Sequence, residues 1–346
     1  MRLLQAPGLL AGVAALLIAG CAQQPAAVSL PAAVPTAPQL QAAHAVGLDA
    51  AALQVLRDKP LHRMKPREVG RYIAWLQHAE PDLRRRIAQL ARRNLGQPYE
   101  LHLLGEFPYE LHDEQPLYEL EKSDCVVFVE HTYAMALSSS WEEFFWMLQR
   151  LRYRDGVIGV ATRNHYTEAD WNRHNAWLVG DVTSALGVPT RPYRQVINRS
   201  GFLRRRYGML RALPIEQHED HYVPAEHALA AATQLNDGDF VNVISGRGDA
   251  AWASHVGLIV SGPDGTRHLL HSQQPEVTEE PLATFIARTQ QRDAASTSPT
   301  RARLLGFKFL RLNEQPEPPP MAPQPRPRAD VIRLQDLPQG PQSSNR

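Results

Sequence analysis

Cysteine supplies the strongest common nucleophile among the side chains, and this sequence has two, Cys21 and Cys125. Two cysteines make no disulfide framework, so each needs its own explanation. Cys125 lies in Ser123-Asp124-Cys125-Val126-Val127-Phe128-Val129-Glu130. Ser123 and Asp124 can cap a helix running through Leu137, with Val126, Val129, Tyr133, Ala136 and Leu137 recurring along one side. Cys125 then falls in the first turn, where free backbone N–H groups and the positive dipole end favour thiolate over thiol. A buried structural cysteine is the commoner fate of a lone Cys. In an exported chain, however, an unpaired thiol risks oxidation, which argues for a use.

A thiolate nucleophile needs a base and a group to orient that base. Among fourteen histidines, placement must choose. His255 lies within Trp252-Ala253-Ser254-His255-Val256-Gly257-Leu258-Ile259-Val260, a run apolar on both faces, and a buried imidazole needs a partner for each nitrogen. The turn sequence Ser261-Gly262-Pro263-Asp264-Gly265-Thr266 leads into Arg267-His268-Leu269-Leu270-His271-Ser272. A hairpin centred on Pro263 sets His255 directly opposite His271, about 5 Å apart at Cβ. Cys125, His255 and His271 are therefore the candidate triad. Arg163-Asn164-His165-Tyr166 with Asp170-Trp171 mixes hydrogen-bonding groups and flat aromatics, a composition suited to a sugar or peptide groove. The alternative is that Tyr166 and Trp171 are core and Arg163 is ion-paired. Glu130, five residues after Cys125, reads as half of a structural ion pair. His218-Glu219-Asp220-His221 lacks two helical histidines four apart and a third ligand, so no metal site is expected. No phosphate loop, dinucleotide fingerprint or Gly-x-Ser-x-Gly elbow occurs, and no cofactor is implied.

These residues must be carried by a fold and delivered to a compartment. The 346-residue chain is 43% hydrophobic, enough for a sizeable core, and its net charge of +1 gives no field that would recruit nucleic acid. Half of the 28 prolines lie in the first 38 residues or after Asn313, so the excess marks the ends. Met1–Gly20 carries one charge, Arg2, and an apolar run from Leu9 to Ala19, too short to span a bilayer. Its end, Leu17-Ile18-Ala19-Gly20-Cys21, resembles a bacterial lipobox. That resemblance implies a signal peptide over residues 1–20 and acylation of Cys21, with chains such as palmitate anchoring the protein in a membrane. Ala22 and Gln23 follow with no Asp, which by resemblance to sorted lipoproteins favours the outer membrane, facing the periplasm. Residues 21–48, rich in Ala, Pro and Gln, read as an extended leash. Residues 314–346 read as a disordered, proline-rich tail. Between them a single domain, 49–313, opens with helical patterns over about 49–95, at Ala50 to Asp58, Pro66 to His78 and Pro81 to Asn94. The arginines of the last pattern read as a solvated face. Ser140 caps a further helix, and Pro224 to Leu235 gives another. Strand patterns cluster late, at Phe240 to Ser245, Ala253 to Val260, His268 to Ser272 and Leu304 to Leu312. Helices first and neighbouring strands after predict an α+β fold, an antiparallel sheet packed on helices.

The order of a helix-start cysteine, a strand histidine and a polar residue on the next strand resembles the NlpC/P60 cysteine peptidases of papain-like fold. The sequence is closer to one branch, the DUF1460 or N-acetylmuramoyl-L-alanine amidase-like family. The resemblance rests on Leu95-Gly96-Gln97-Pro98-Tyr99, Asp124-Cys125-Val126-Val127-Phe128-Val129-Glu130, Leu151-Arg152-Tyr153-Arg154 and Arg163-Asn164-His165-Tyr166 with Asp170-Trp171 and Asn175. It continues through Asp181-Val182-Thr183, Asp237-Gly238-Asp239 and Ser254-His255-Val256-Gly257. It implies Cys125 as nucleophile, His255 as base and then acid, and His271 as orienter. Asp124 and Tyr99 support the site, the Tyr99 phenol helping the Cys125 N–H to bind an oxyanion. Peptidoglycan is the implied substrate and the chain is expected to act as a monomer. The bond between N-acetylmuramic acid and L-Ala is the first expectation, and the γ-D-Glu–meso-diaminopimelate bond the second. A wall-binding lipoprotein with a dead site is the reading from a different class. The acid- and aromatic-rich stretch 103–120 has no assigned role.

Overall fold

The computed structural model describes residues 34–327. The signal segment, Cys21 and the chain beyond residue 327 lie outside the described residues. Helices α1 (Ala37–Ala45), α2 (Ala50–Asp58), α3 (Pro66–Ala79), α4 (Leu83–Arg92), α5 (Cys125–Ala136) and α6 (Trp141–Arg152) come first. The short α7 (Asn172–His174) and β1 (Val179–Asp181) follow, then β2 (Arg191–Ile197), α8 (Arg199–Tyr207), β3 (Glu216–Pro224) and α9 (Ala228–Ala232). The regular structure of the described residues ends with β4 (Phe240–Arg247), β5 (Ala250–Ser261), β6 (Arg267–Ser272), β7 (Val277–Pro281), α10 (Leu282–Ala295) and β8 (Arg303–Leu312). The strands form one sheet in the order β2-β3-β8-β4-β5-β6-β7, with β1 against β8. Every pairing is antiparallel. The expected α+β class is what the chain adopts. No described helix is long and apolar enough to cross a membrane.

Alternation along the strands builds two cores. Val256, Leu258 and Val260 of β5 and Leu270 of β6 join Phe128, Val129 and Tyr133 of α5 in the larger one. Ile259 and Leu269 point the other way, into a core with Phe285 and Ile286 of α10 and Phe307 and Phe309 of β8. Both faces of the central strands are covered, which is why their sequences run apolar without a break.

Three expectations are corrected. Residues 37–45 are not leash but helix: the Gln39 side chain accepts from the Thr36 N–H at 3.0 Å, and the Trp75 indole donates to the Gln39 carbonyl at 3.1 Å. Ala42 and Ala43 are buried, so small residues here let α1 approach α3 closely. The arginines of α4 do not form a solvated face. Arg92 makes a two-pronged pair with Glu279 of β7 and reaches the Ser261 carbonyl, while Arg84 binds Asp239 and two carbonyls beside it. Long side chains thus bolt the helical part to the sheet. Finally, part of the proline-rich tail docks. Gln324 and the Asp155–Ile158 segment exchange hydrogen bonds, and Met321 packs with the aromatic cluster of Tyr109, Phe145 and Trp146.

The hairpin expected to carry the two histidines exists, but its register is shifted. Ser261 pairs with Arg267 and Leu258 with Leu270, which centres the turn on Asp264 rather than Pro263. The Asp264 carboxylate accepts from both the N–H and the hydroxyl of Thr266, closing the turn there. One step further along the ladder, Gly257 comes opposite His271. A Cβ on Gly257 would lie 2.8 Å from Leu269 Cδ1 and 3.0 Å from His271 Cβ. Glycine keeps that space open, so His255 reaches across the diagonal, still on the same face because the shift is by two. Gly257→Ala is therefore expected to cost about 1–3 kcal/mol by overpacking, read as a lower midpoint in urea unfolding with an unchanged slope.

Candidate active site

Helix α5 begins at Cys125 because Asp124 takes the Val126 and Val127 N–H groups at 3.0 and 2.8 Å. The residue before it is pinned as well. The Ser123 hydroxyl donates to Ser272 Oγ at 2.9 Å, and the Ser272 hydroxyl donates to the Ser123 carbonyl at 2.9 Å. Both serines are buried. The strand end that carries His271 therefore also holds the turn that presents Cys125. On the other side, Tyr99 is fixed by its N–H to the Pro275 carbonyl, and the neighbouring backbone bonds Ser123 at both ends. Cys125 itself is half-buried and unpaired. Its Sγ accepts from the Val256 N–H, which sets the sulfur one residue from His255. Here the β5–β6 ladder has ended, so that N–H is available to a thiol. A bulge lies on the same strand, for Val243 pairs with His255 and Ile244 with Ala253, leaving Ser254 unpaired. Such a bulge re-aims the side chain beside it.

His255 Nε2 and His271 Nδ1 are 2.7 Å apart, and His271 Nε2 and Glu280 Oε1 are 3.1 Å apart. Arg288 Nη2 binds the same Glu280 oxygen at 2.6 Å. His271 is fully buried and the two rings meet edge to face, with Phe285 of α10 stacked on His255. The bond directions follow from the ends of the chain. Glu280, held below its usual range by hydrogen bonds from His271 and Arg288 that outweigh its burial, is a carboxylate and only accepts. His271 must then donate from Nε2 and accept at Nδ1, so His255 donates from Nε2 and keeps a free lone pair on Nδ1. Burial first, then His271, Arg288 and Arg292, pushes His255 down to about 3, so the imidazole is neutral.

The expected thiolate is not what this site favours at rest. Burial, and secondly the adjacent Asp124, push the Cys125 thiol up to about 12. The Val256 N–H and the helix-start N–H groups of Val126 and Cys125 do favour the anion, but burial and the Asp124 charge outweigh them. Tyr99 is likewise pushed up to about 12, by burial and then by Cys125 and Asp124, so it stays a phenol and can donate. The site holds its proton on sulfur beside a neutral base.

Of the proposed groove residues Arg163 and His165 line a cavity, and all five are engaged within the fold. Arg163 forks onto Glu106 and also binds Asp113 and the Tyr207 hydroxyl. This gives the 103–120 stretch its role: its acids neutralise Arg163, and Glu106 also accepts from Tyr153. Asn164 donates to the Leu151 carbonyl and pairs with His174, and His165 bonds the Val160 carbonyl. Trp171 is 2% exposed, packs on Phe240 and donates to Glu130 at 3.0 Å, so it is core. Glu130 also meets Arg152 at 3.2 Å, the structural pair expected of it. Tyr166 is half-buried, with the Arg199 guanidinium over its ring. None of these five is joined to the cysteine–histidine cluster by a hydrogen bond. Sequence reasoning missed Glu280, Arg288 and Ser272. The two glutamates and Pro281 hid β7, although Val277-Thr278 after Pro275 was a signal for a strand start.

The AmiA-like family, described as N-acetylmuramoyl-L-alanine amidase-like, matches residues 89–292, the stretch that holds every member of this cluster. The chain belongs to that family. No curated protein matches it. Among solved structures, a Legionella pneumophila protein of the DUF1460 family is similar with a TM-score of 0.60 at 18% identity, over 73% of this chain and 96% of that one. An N-acetylmuramoyl-L-alanine amidase from Bacteroides uniformis is similar with a TM-score of 0.52 at 24% identity, over 67% of this chain and 99% of that one. At such identities the likeness is one of fold. The raised thiol has a measurable signature: at pH 7 iodoacetamide should label Cys125 more slowly than a free cysteine, with the rate still climbing above pH 9. A labelling plateau below pH 8 would show a thiolate instead.

Proposed function

We propose that this chain is a peptidoglycan amidase that cuts the bond between N-acetylmuramic acid and L-Ala, with Cys125 as nucleophile. The observation that carries the proposal is the Cys125 sulfur on the Val256 N–H, next to a histidine whose far nitrogen enters a closed relay of His271, Glu280 and Arg288. Family membership supports the substrate class. In this reading the fold is papain-like in its logic, a helix-start cysteine served by a strand histidine.

The Sγ proton passes to His255 Nδ1 as sulfur bonds the lactyl carbonyl carbon, so a buried free thiolate is never required. The Cys125 N–H and the Tyr99 hydroxyl donate to the oxyanion. His271 accepts from the imidazolium, and Glu280 behind it stabilises the charge. His255 then protonates the L-Ala nitrogen as the carbon–nitrogen bond breaks, leaving a thioester. Water gives its proton to His255 and attacks the thioester, releasing the muramoyl acid and restoring the thiol. We further propose, from the sequence, that residues 1–20 are removed, that Cys21 is acylated and that the enzyme works as a monomer on the periplasmic face of the outer membrane.

Mass spectrometry of digested muropeptides tests this: free disaccharide and intact stem peptide are expected. Stem peptides cut after γ-D-Glu would reassign the enzyme as an endopeptidase, and unchanged muropeptides would leave a wall-binding protein. Cys125→Ala should abolish product, His255→Ala should lower the rate by about 10²–10⁴-fold, and Glu280→Gln should lower it less.

A further inference from the structure

One cavity of the described chain has no part of the cysteine–histidine cluster in its lining. It has a volume of about 480 Å³ and is bounded by α7, α8 and the loop that follows, 208–215. Five arginines line it, 154, 163, 173, 199 and 211, against two carboxylates, Asp170 and Glu216. Residues 199–215 hold five arginines and no acid at all. Arg163, Arg173 and Arg199 are consumed by ion pairs within the fold. Two are not. Arg211 is exposed and has no carboxylate partner among the described residues, and Arg154 meets only its neighbour Asp155, at 4.0 Å. The rest of the wall mixes Thr162, His165 and His174 with an aliphatic side of Leu203, Leu213 and Ile215, the last 61% exposed.

A cavity of this size fits a ligand of several residues. Free guanidinium groups recognise carboxylates, and an aliphatic floor suits short apolar side chains. The cavity is also coupled to the reaction strand. The 167–171 turn supplies its Ala169 and Asp170, and Glu168 of that turn binds the Ala253 N–H, two residues before His255. We propose that this cavity is a carboxylate-binding subsite for the acidic stem peptide, held by Arg154 and Arg211. This rests on the peptidoglycan reading above and extends it by naming what grips the peptide half of the substrate.

The test reads binding rather than turnover. Calorimetry with the full chain carrying Cys125→Ala should detect L-Ala-γ-D-Glu-meso-diaminopimelate, with affinity falling as salt rises. Adding Arg154→Glu and Arg211→Glu should weaken it at least tenfold, and both positions are exposed enough for the variant to keep its circular dichroism and melting temperature. The same peptide with its carboxyl groups amidated should fail to compete. An unchanged affinity in the charge-reversed variant, or no binding to Cys125→Ala itself, overturns the proposal, as does binding of inorganic phosphate without binding of the peptide. A wild-type chain that cuts no muropeptide yet passes this test keeps the subsite and loses the amidase. An active chain that fails it does the reverse.

Discussion

A fully buried imidazole constrains much of this molecule. His271 has no access to water, so both ring nitrogens must be answered from within. One is answered by His255 and the other by Glu280, which in turn needs Arg288 to remain a carboxylate in a half-buried setting. Three adjoining elements, β5, β6 and β7 with the helix that follows it, are locked by that single requirement. Gly257 belongs to the same solution, because the diagonal reach of His255 exists only where the intervening side chain is missing.

The same economy of placement sets Cys125. Ser272 sits one residue from His271 and points to the opposite face, as a strand demands. There it closes a two-hydroxyl clasp on Ser123, two residues before the cysteine. His255 and Cys125 are therefore positioned by consecutive residues of one strand, on its two sides, and meet where the β5–β6 ladder stops. The resting site is electrically quiet: thiol, neutral imidazole, phenol. Charge is kept at the far end of the relay, where Glu280 and Arg288 compensate each other. A neutral thiol is also less prone to oxidation, which protects an unpaired cysteine.

Much of this was legible in the residues. Capping signals at Asp124 and Ser140 gave helix starts that the structure shares, and the apolar runs gave four of the eight strands. Both histidines and their common face were readable because a period of two survives a shift of two. The shift itself was not, since it depends on which residue of Gly262–Thr266 closes the turn, and Asp264 does so through its own side chain. The polar strands β2 and β3 escaped because Arg191–Ile197 and Glu216–Pro224 alternate charges with few apolar residues. The groove reading named Arg163 and His165, which do line a cavity, together with Trp171, which is core. Composition at 163–171 shows which groups can bond, not whether Glu106 or the Leu151 carbonyl already occupies them. The thiolate expectation considered the helix terminus but not the burial and the cap charge that outweigh it.

The docked segment at 321–324 changes where the folded body ends. Among the described residues regular structure stops at Leu312, and a chain shortened just after it would keep all the described helices and strands. It would nevertheless remove Met321 from its place beside Tyr153 and Ile158, and take the Gln324 amide from the Gly156 carbonyl and the Ile158 N–H. That loss falls on the short loop that begins with Arg154, so trimming an apparently dispensable terminus would loosen the rim of the basic cavity from behind.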